Sequence, residues 1–457
     1  MFKHVLLCAA LLTPVCAQAA TDADLRDIRA QIEQLKKSYE QRISHLEQRL
    51  QQAEADSRRA ESTAAQAQAT AQQASRPPAA ANAFNPAISM ILSGTYGQFQ
   101  QDPAIPATGF AMSPNNNAHT RSFSLKESEL GIMADIDPQF RGVATLSLAP
   151  GGGLSAENAF IQTTTLGHGF NLKFGRFFSG LGYLNDQHSH TWDFVDQPLV
   201  YVSMWDNQLG EDGVQLKWLA PTDTFIELGA ELGRGRGFPG SDRQNHNGPG
   251  AAVLFAHVGD DVGISDSWRA GVSLHQTKQV NAVSTGVPDL AGTVGGVSDS
   301  FTGNTRTTGL DFVWKHAPNG DTTLTNFKLQ GEYFRRRESG MLAYDIAAAN
   351  ITDSYAVTQA GWYVQGVYQF MPMWRAGLRY DQLDPGTAQV GALNAANVIS
   401  NYGYTPKRST VMLDYSPSEF SRLRLQLAQD KSRQGLTDNQ LFVQYIMSLG
   451  AHGAHQF

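Results

Sequence analysis

Cysteine is almost missing from this chain of 457 residues: there are two, Cys8 and Cys16, and both fall within the first nineteen positions. Lys3 there supplies a positive start, Val5 to Leu12 an apolar run, and Ala17-Gln18-Ala19 an A-x-A cleavage pattern, the three parts of a secretory signal peptide. A cut after Ala19 leaves a mature chain without thiols, which excludes disulfides and cysteine chemistry. Lipidation at Cys16 is the competing reading, and Thr13-Pro14-Val15 is a poor approach to it. Long hydrophobic runs are missing too. No later stretch offers about eighteen consecutive apolar residues, so no transmembrane helix is expected. Excess positive charge is missing as well: 42 Asp and Glu outweigh 35 Lys and Arg, a net charge of −7, which argues against a nucleic-acid partner. Ser-x-x-Lys, Gly-x-Ser-x-Gly and His-Glu-x-x-His motifs do not occur, and no enzyme is expected.

What the N-terminal part does have is a helical seam. Leu25, Ile28, Ile32, Leu35 and Tyr39 follow a 3-4-3-4 spacing, and Ile43, Leu46 and Leu50 continue it after one extra step of four. That is a heptad pattern with a stutter. Residues 53–74 are rich in Ala and Gln, still good helix formers. Arg76-Pro77-Pro78 ends the helix, and residues 76–87 read as a linker. The seam covers about four heptads, too few for a stable lone helix. Residues 20–75 are therefore expected to be a periplasmic coiled coil that self-associates; a solvated helix without a partner is the competing reading.

From Ile88 the period changes to two. Leu216 and Trp218 alternate with Gln215 and Lys217; Ile226, Leu228, Ala230 and Leu232 with Glu227 and Glu231; Leu423, Leu425 and Leu427 with Arg422, Arg424 and Gln426. Strands with one face in lipid alternate this way, and so do those of a soluble sandwich. The connections discriminate. About sixteen runs start near Ile88, Ser122, Phe140, Glu157, Phe170, Asp212, Thr224, Ala251, Ser267, Arg306, Thr322, Gln359, Trp374, Arg408, Ser421 and Asn439. One alternate set of joints is short and rich in turn residues: Asp137-Pro138-Gln139, Gly167-His168-Gly169, Pro221-Thr222-Asp223, Pro318-Asn319-Gly320, Met371-Pro372-Met373 and Ser416-Pro417-Ser418. The other set is long and polar, as in Gly233–Gly250, Gln276–Thr305, Arg335–Thr358 and Asp384–Lys407. Short periplasmic turns and long outer loops are the asymmetry of a bilayer barrel. The expected fold is thus all-β: a sixteen-stranded antiparallel transmembrane β-barrel over residues 88–457, behind the helical coiled-coil prefix. The last run ends in Phe457, in phase with Leu441, Val443, Tyr445, Met447 and Leu449.

The longest joint runs from Phe178 to Glu211. It carries Asp186, Asp193, Asp196, Asp206 and Glu211 and no Lys or Arg, with His188 and His190 among Trp192, Phe194, Tyr201 and Trp205. So many large rings suit a loop folded inward, where Asp186, His188, His190, Asp193, Asp196 and Asp206 would line a constriction. An outer loop packed on its neighbours is the competing reading. Glu127, Glu129, Arg141, Lys173, Lys217, Glu227, Lys328, Glu332, Arg375, Arg379, Arg422 and Arg424 have inward parity and are the expected pore lining. An acidic ring favours cations.

The opening ISMILSGTYGQF, with ENAFIQ, LKFGRFF, DGVQLKWL, GWYVQGVYQFMPMWRAGLRYDQLD and YSPSEFSRLRLQ, resembles the phosphate-selective porin-like superfamily. The resemblance covers Ile88 to Phe457. It implies a homotrimer with one pore per subunit, the third outer loop folded into it, and a place in the outer membrane of a Gram-negative bacterium. Anion-selective members line the pore with Arg and Lys, whereas the inward charges here are mixed. The ending LGAHGAHQF is similar to proteins labelled zinc-regulated TonB-dependent outer-membrane receptors.

The function expected is passive diffusion of small hydrophilic solutes or ions, with outer-membrane lipid and a homotrimer as partners and no resident cofactor. Two alternatives stand: a zinc-uptake protein, and a structural or adhesive barrel without an open pore. For zinc, Asp186, His188 and His190 offer nitrogen and oxygen ligands for a transient ion, and His452 and His455 form a second pair. Gly233-Arg234-Gly235-Arg236-Gly237 has no helix behind it and is not expected to cradle phosphate.

Overall fold

The computed structural model describes residues 86–111, 119–125, 128–148, 152–241 and 246–450, and seven helical, exposed positions between Glu33 and Ser44. The signal peptide, the apolar seam residues Leu25, Ile28, Ile32, Leu35, Tyr39, Ile43, Leu46 and Leu50, and Glu127, His452, His455 and Phe457 lie outside the described residues. The chain divides into two units, Met1–Ala83 and Phe84–Phe457.

Among the described residues of the second unit eighteen hydrogen-bonded segments form one sheet, all of whose pairings are antiparallel. Ser122–Leu125 and Ser128–Asp137 both pair with the first strand and occupy one position in the wall, so they are counted together. Gln389–Val390 lies within a loop. Sixteen wall strands remain. They are β1 (Ala87–Phe99), β2 (Ser122–Leu125 with Ser128–Asp137), β3 (Phe140–Leu148), β4 (Leu154–Thr163), β5 (Phe170–Phe178), β6 (Gly210–Leu219), β7 (Phe225–Gly233) and β8 (Ala251–Val262). The second half is β9 (Asp266–Val287), β10 (Val297–His316), β11 (Asn326–Tyr344), β12 (Ile351–Met371), β13 (Trp374–Asp384), β14 (Lys407–Ser418), β15 (Ser421–Lys431) and β16 (Asp438–Gly450). β1 pairs with β16 from Ser89↔Gly450 to Phe99↔Gln440, which closes the barrel and leaves no edge. Sixteen strands is well short of the roughly twenty-two of plugged outer-membrane transporters.

The wall is apolar outside and polar inside. On β13, Ala376 and Leu378 alternate with buried Arg379 and Asp381; on β15, Leu423, Leu425 and Leu427 are exposed while Arg424 and Gln426 are buried. Beside the short turns the outward side chains are aromatic, and neighbouring strands pair them: Phe170 with Trp218, Trp314 with Phe327, Trp374 with Tyr415. A second set, Tyr96 with Phe123 and Trp362 with Tyr380, stands nearer the long loops.

Turn chemistry sets the short joints. Asp137 Oδ1 accepts the N–H groups of Gln139 at 2.7 Å and Phe140 at 2.9 Å around Pro138. At Gly169 the backbone has φ +79° and a Cβ would lie 1.9 Å from the Leu219 carbonyl oxygen, so only glycine fits. Three joints depart from the sequence reading. β9 and β10 extend to Val287 and from Val297, and β11 and β12 reach Tyr344 and Ile351, deep into stretches expected to be loop. There the outward face turns polar, with Lys278, Thr302, Arg335 and Arg337 exposed, and inside Gln279 donates to Thr305 Oγ1 at 2.6 Å and to Glu338 Oε1 at 3.1 Å. The last short turn is Glu419-Phe420, because β14 continues through Pro417.

Candidate functional site

Loop 3, residues 179–209, leaves the β5–β6 hairpin and turns into the barrel. Its base is sealed by fully buried Asn185, whose amide donates to the carbonyls of Ser179 at 2.8 Å and Leu209 at 2.9 Å while its oxygen accepts the Leu209 N–H at 2.7 Å. An amide side chain brings two N–H donors and an acceptor oxygen together, which a carboxylate in its place could not do. Pro198 leads into α1, Leu199–Trp205, and Asp381 of β13 accepts the otherwise orphaned Leu199 N–H at 2.9 Å. The helix stops at Asp206, which takes a left-handed conformation (φ 51°). Its apolar side chains join Leu181, Leu184, Trp192 and Leu209 in one cluster with Val253, Phe255, Phe334, Tyr363 and Leu383 of the wall. Trp205 meets Phe334 edge-on with ring centroids 4.8 Å apart.

The acids of the loop are tied down rather than free. Asp193 pairs with Lys328 of β11 and with Arg375 of β13 at 3.2 Å. Asp196 takes Arg379 at 2.8 Å, Arg408 at 2.7 Å and the Gln426 amide at 2.8 Å. Burial alone would raise both carboxyls; the Lys328 and Arg375 charges around Asp193, and Arg408 and Arg379 around Asp196, outweigh it and hold both well below the ordinary carboxylate range. Loop backbone is held as well. Glu332 accepts the N–H groups of Tyr183 at 2.7 Å and Leu184 at 3.0 Å, Glu231 accepts Gly180 at 2.9 Å, Gln426 accepts Val195 at 2.7 Å, and Arg424 donates to the Trp192 carbonyl at 2.9 Å. These anchors, with the histidine contacts below, lie on strands from β2 round to β15, so the loop crosses the lumen instead of lining one wall.

His188 precedes a 3-10 turn, Ser189–Thr191, that contains His190, and the two rings stack with centroids 5.8 Å apart. Asp186 is exposed, and the carboxylates at His188 belong to the wall instead. His188 Nδ1 lies 3.0 Å from Glu157 Oε2 of β4 and 3.2 Å from Glu129 Oε2 of β2; His190 Nδ1 lies 3.0 Å from Glu129 Oε1. Burial opposes a charge on His188, but Glu129 and Glu157 outweigh it and push its pKa up to about 10.

The other lining candidates face inward, many of them engaged. Arg141 pairs with Asp135, Lys217 with Glu227, and Arg424 with Asp414; Lys173 lies over the Phe160 and Phe177 rings; Arg422 donates to the carbonyls of His190 and Trp192. Glu332, Arg379 and Arg424 are buried under the loop rather than facing water. The expected lining leaves out Arg408, Asp414 and Gln426, although Gln426 stands in the polar phase of its strand's alternation, and it leaves out Asn185 and Glu157. The first three were findable, since they share parity with Thr410, Met412 and Arg424. Glu157 was not: it is the extra residue of a β-bulge, where Thr145 faces Asn158 and Leu146 faces Ala156. The glycine-rich Gly235 and Arg236 amides hold an anion of the chain itself, Glu211 Oε2, at 2.9 and 3.1 Å.

No family model matches the chain. A protein of Aquifex aeolicus (strain VF5), described as an uncharacterized protein, is 30% identical over 412 residues, 83% of this chain and 81% of its own length. Among solved structures the chain is similar to OmpT, an outer membrane protein of Vibrio cholerae in its trimer form (TM-score 0.48, 11% identity, covering 80% of this chain and 99% of that one). It is also similar to the outer membrane channel DcaP of Acinetobacter baumannii (0.45, 12%, 80% and 97%) and to the anion-selective porin from Comamonas acidovorans (0.47, 11%, 80% and 99%).

Proposed function

The chain belongs to the family of that Aquifex aeolicus protein, and from this premise and the geometry of its barrel we propose that it is an outer-membrane channel for passive diffusion of small hydrophilic solutes or ions, narrowed by loop 3. The observation that carries the reading is the sidedness of the wall. Exposed Leu, Val and Phe side chains stand between two sets of paired aromatics, while the charged residues point inward. Lipid outside and water inside satisfy both faces. Solutes pass between loop 3 and the wall, and a cavity of about 690 Å³ among the outer loops is lined in part by Phe110 and Arg336, which touch loop 3. Three copies are expected to associate in the membrane, with the helical prefix on the periplasmic side.

Selectivity follows from the charges left over. The carboxylates of Asp193 and Asp414 stand among four cations, Lys328, Arg375, Arg422 and Arg424, an excess of positive charge, and Lys328 and Arg375 are partly exposed on the short-turn side. We therefore place the passage on the side of a weak anion preference, not the cation preference that the loop's composition suggests. Planar-bilayer recording tests both points. The unmodified protein should conduct, with a reversal potential shifted toward the anion in a salt gradient. Replacing residues 181–208 by a short Gly-Ser linker should raise conductance several-fold. Silence from both proteins would leave a closed, structural barrel; equal conductance would remove the loop from the passage.

A further inference from the structure

Where loop 3 meets β2 and β4, a set of ligand atoms converges that passive diffusion does not require. One carboxylate oxygen each of Glu129 and Glu157 and one ring nitrogen of His188 lie within 4.8 Å of one another. The individual contacts to His188 Nδ1 are 3.0 and 3.2 Å, and His190 Nδ1 adds a fourth atom 3.0 Å from Glu129. Zinc bound to nitrogen and oxygen at about 2.1 Å in a tetrahedron needs ligand atoms about 3.4 Å apart, so these contacts are already near that spacing.

A second observation points to a missing ligand. The Glu157 side chain is only 8% exposed, yet its Oε1 is buried without a hydrogen-bond partner. An orphaned carboxylate oxygen is costly. The bulge in β4 is what turns Glu157 out of the outward alternation and into this cluster, and bulges commonly re-aim a side chain toward a site. The far nitrogen of His188 is also held: Nε2 and the Asn158 amide nitrogen are 2.9 Å apart, and Asn158 Oδ1 accepts the Phe178 N–H at 3.3 Å. With the ion on Nδ1 the ring N–H sits on Nε2, so binding requires the Asn158 amide to turn and offer its oxygen there.

We propose that Glu129, Glu157 and His188, with His190 alongside, bind one divalent first-row transition-metal ion such as Zn(II), and that the ion clamps loop 3 to the β2–β4 wall. Two carboxylates balance the charge of the ion. Imidazole selects a transition metal over calcium or magnesium, and the absence of sulfur disfavours Cu(I). The ion takes the place of the proton on His188 Nδ1.

The test uses the full chain in detergent micelles, stripped with a chelator and titrated with zinc by calorimetry, with the visible absorption of Co(II) as a second readout. The expected result is one ion per chain, with affinity falling at least tenfold in Glu157→Gln and in His188→Ala, as loss of a ligand demands, and unchanged in Asp186→Asn. Heat-modifiable gel mobility checks that each barrel is folded, and His188→Gln reads the same ligand set should Glu157→Gln fail to fold. No zinc binding by the unmodified protein would overturn the proposal and leave a proton-bridged ion cluster. So would binding that survives Glu157→Gln and His188→Ala together, since the ion would then sit on other histidines.

Discussion

Asp196 shows how the loop is held. Two guanidiniums and one amide share its carboxylate, all of them buried, and Arg408 also donates to the Gln197 carbonyl at 2.6 Å. Removing the charge leaves Arg379 and Arg408 facing each other with Asp381 alone between them. Breaking a buried pair in this way costs about 3–5 kcal/mol. Asp196→Asn should therefore release the loop: noisier, larger single-channel currents and a lower urea midpoint, with Asp186→Asn within about 0.5 kcal/mol of the unmodified protein. A quiet channel of unchanged conductance in Asp196→Asn would mean that the apolar cluster alone holds the loop. The acids themselves were legible in the sequence, as was their place in a ring-rich loop. Their neutralisation was not, because Arg379 lies 183 positions away from Asp196 and parity does not reveal which inward charge meets which loop atom.

At the scale of elements, the alternation of period two placed the starts of most strands within a few residues, since lipid on one side and polar contacts on the other impose it residue by residue. It failed where that asymmetry ends. The outward face of the hairpin tips of β9–β10 and β11–β12 is polar instead of apolar, and the bulge at Glu157 breaks the phase of β4. It also could not find α1, whose residues Leu199 to Trp205 are nearly all buried and so carry no polar face to mark a helical period. That helix is held by packing. Trp205→Ala opens a cavity against Phe334, Tyr201 and His275 and should cost about 3–5 kcal/mol. Because the Trp205 ring packs loop against wall and not strand against strand, the variant should keep its heat-modifiable mobility while loop 3 becomes cleavable by protease. Loss of the barrel itself would show that the helix is part of the folding core.

For the molecule as a whole, the question is whether the exposed apolar side chains face lipid, and two leucines make a matched pair. Leu378 on β13 lies between the aromatic sets and is 65% exposed; Leu393, in the outer loop between β13 and β14, is 66% exposed. In water alone the two are equivalent, and an Arg at either would change stability by no more than about 0.5 kcal/mol. In a bilayer they differ. An Arg on the lipid face near the midplane of a barrel costs about 2–4 kcal/mol, and almost nothing beyond the interface. Leu378→Arg should therefore lower the reversible unfolding free energy in phospholipid vesicles by that amount, and Leu393→Arg should not. Moving both variants into a non-ionic detergent, whose belt adapts its thickness, should shrink the gap without closing it. Equal stabilities in vesicles would place the β13 surface in water, and would take away the sidedness on which the channel reading rests.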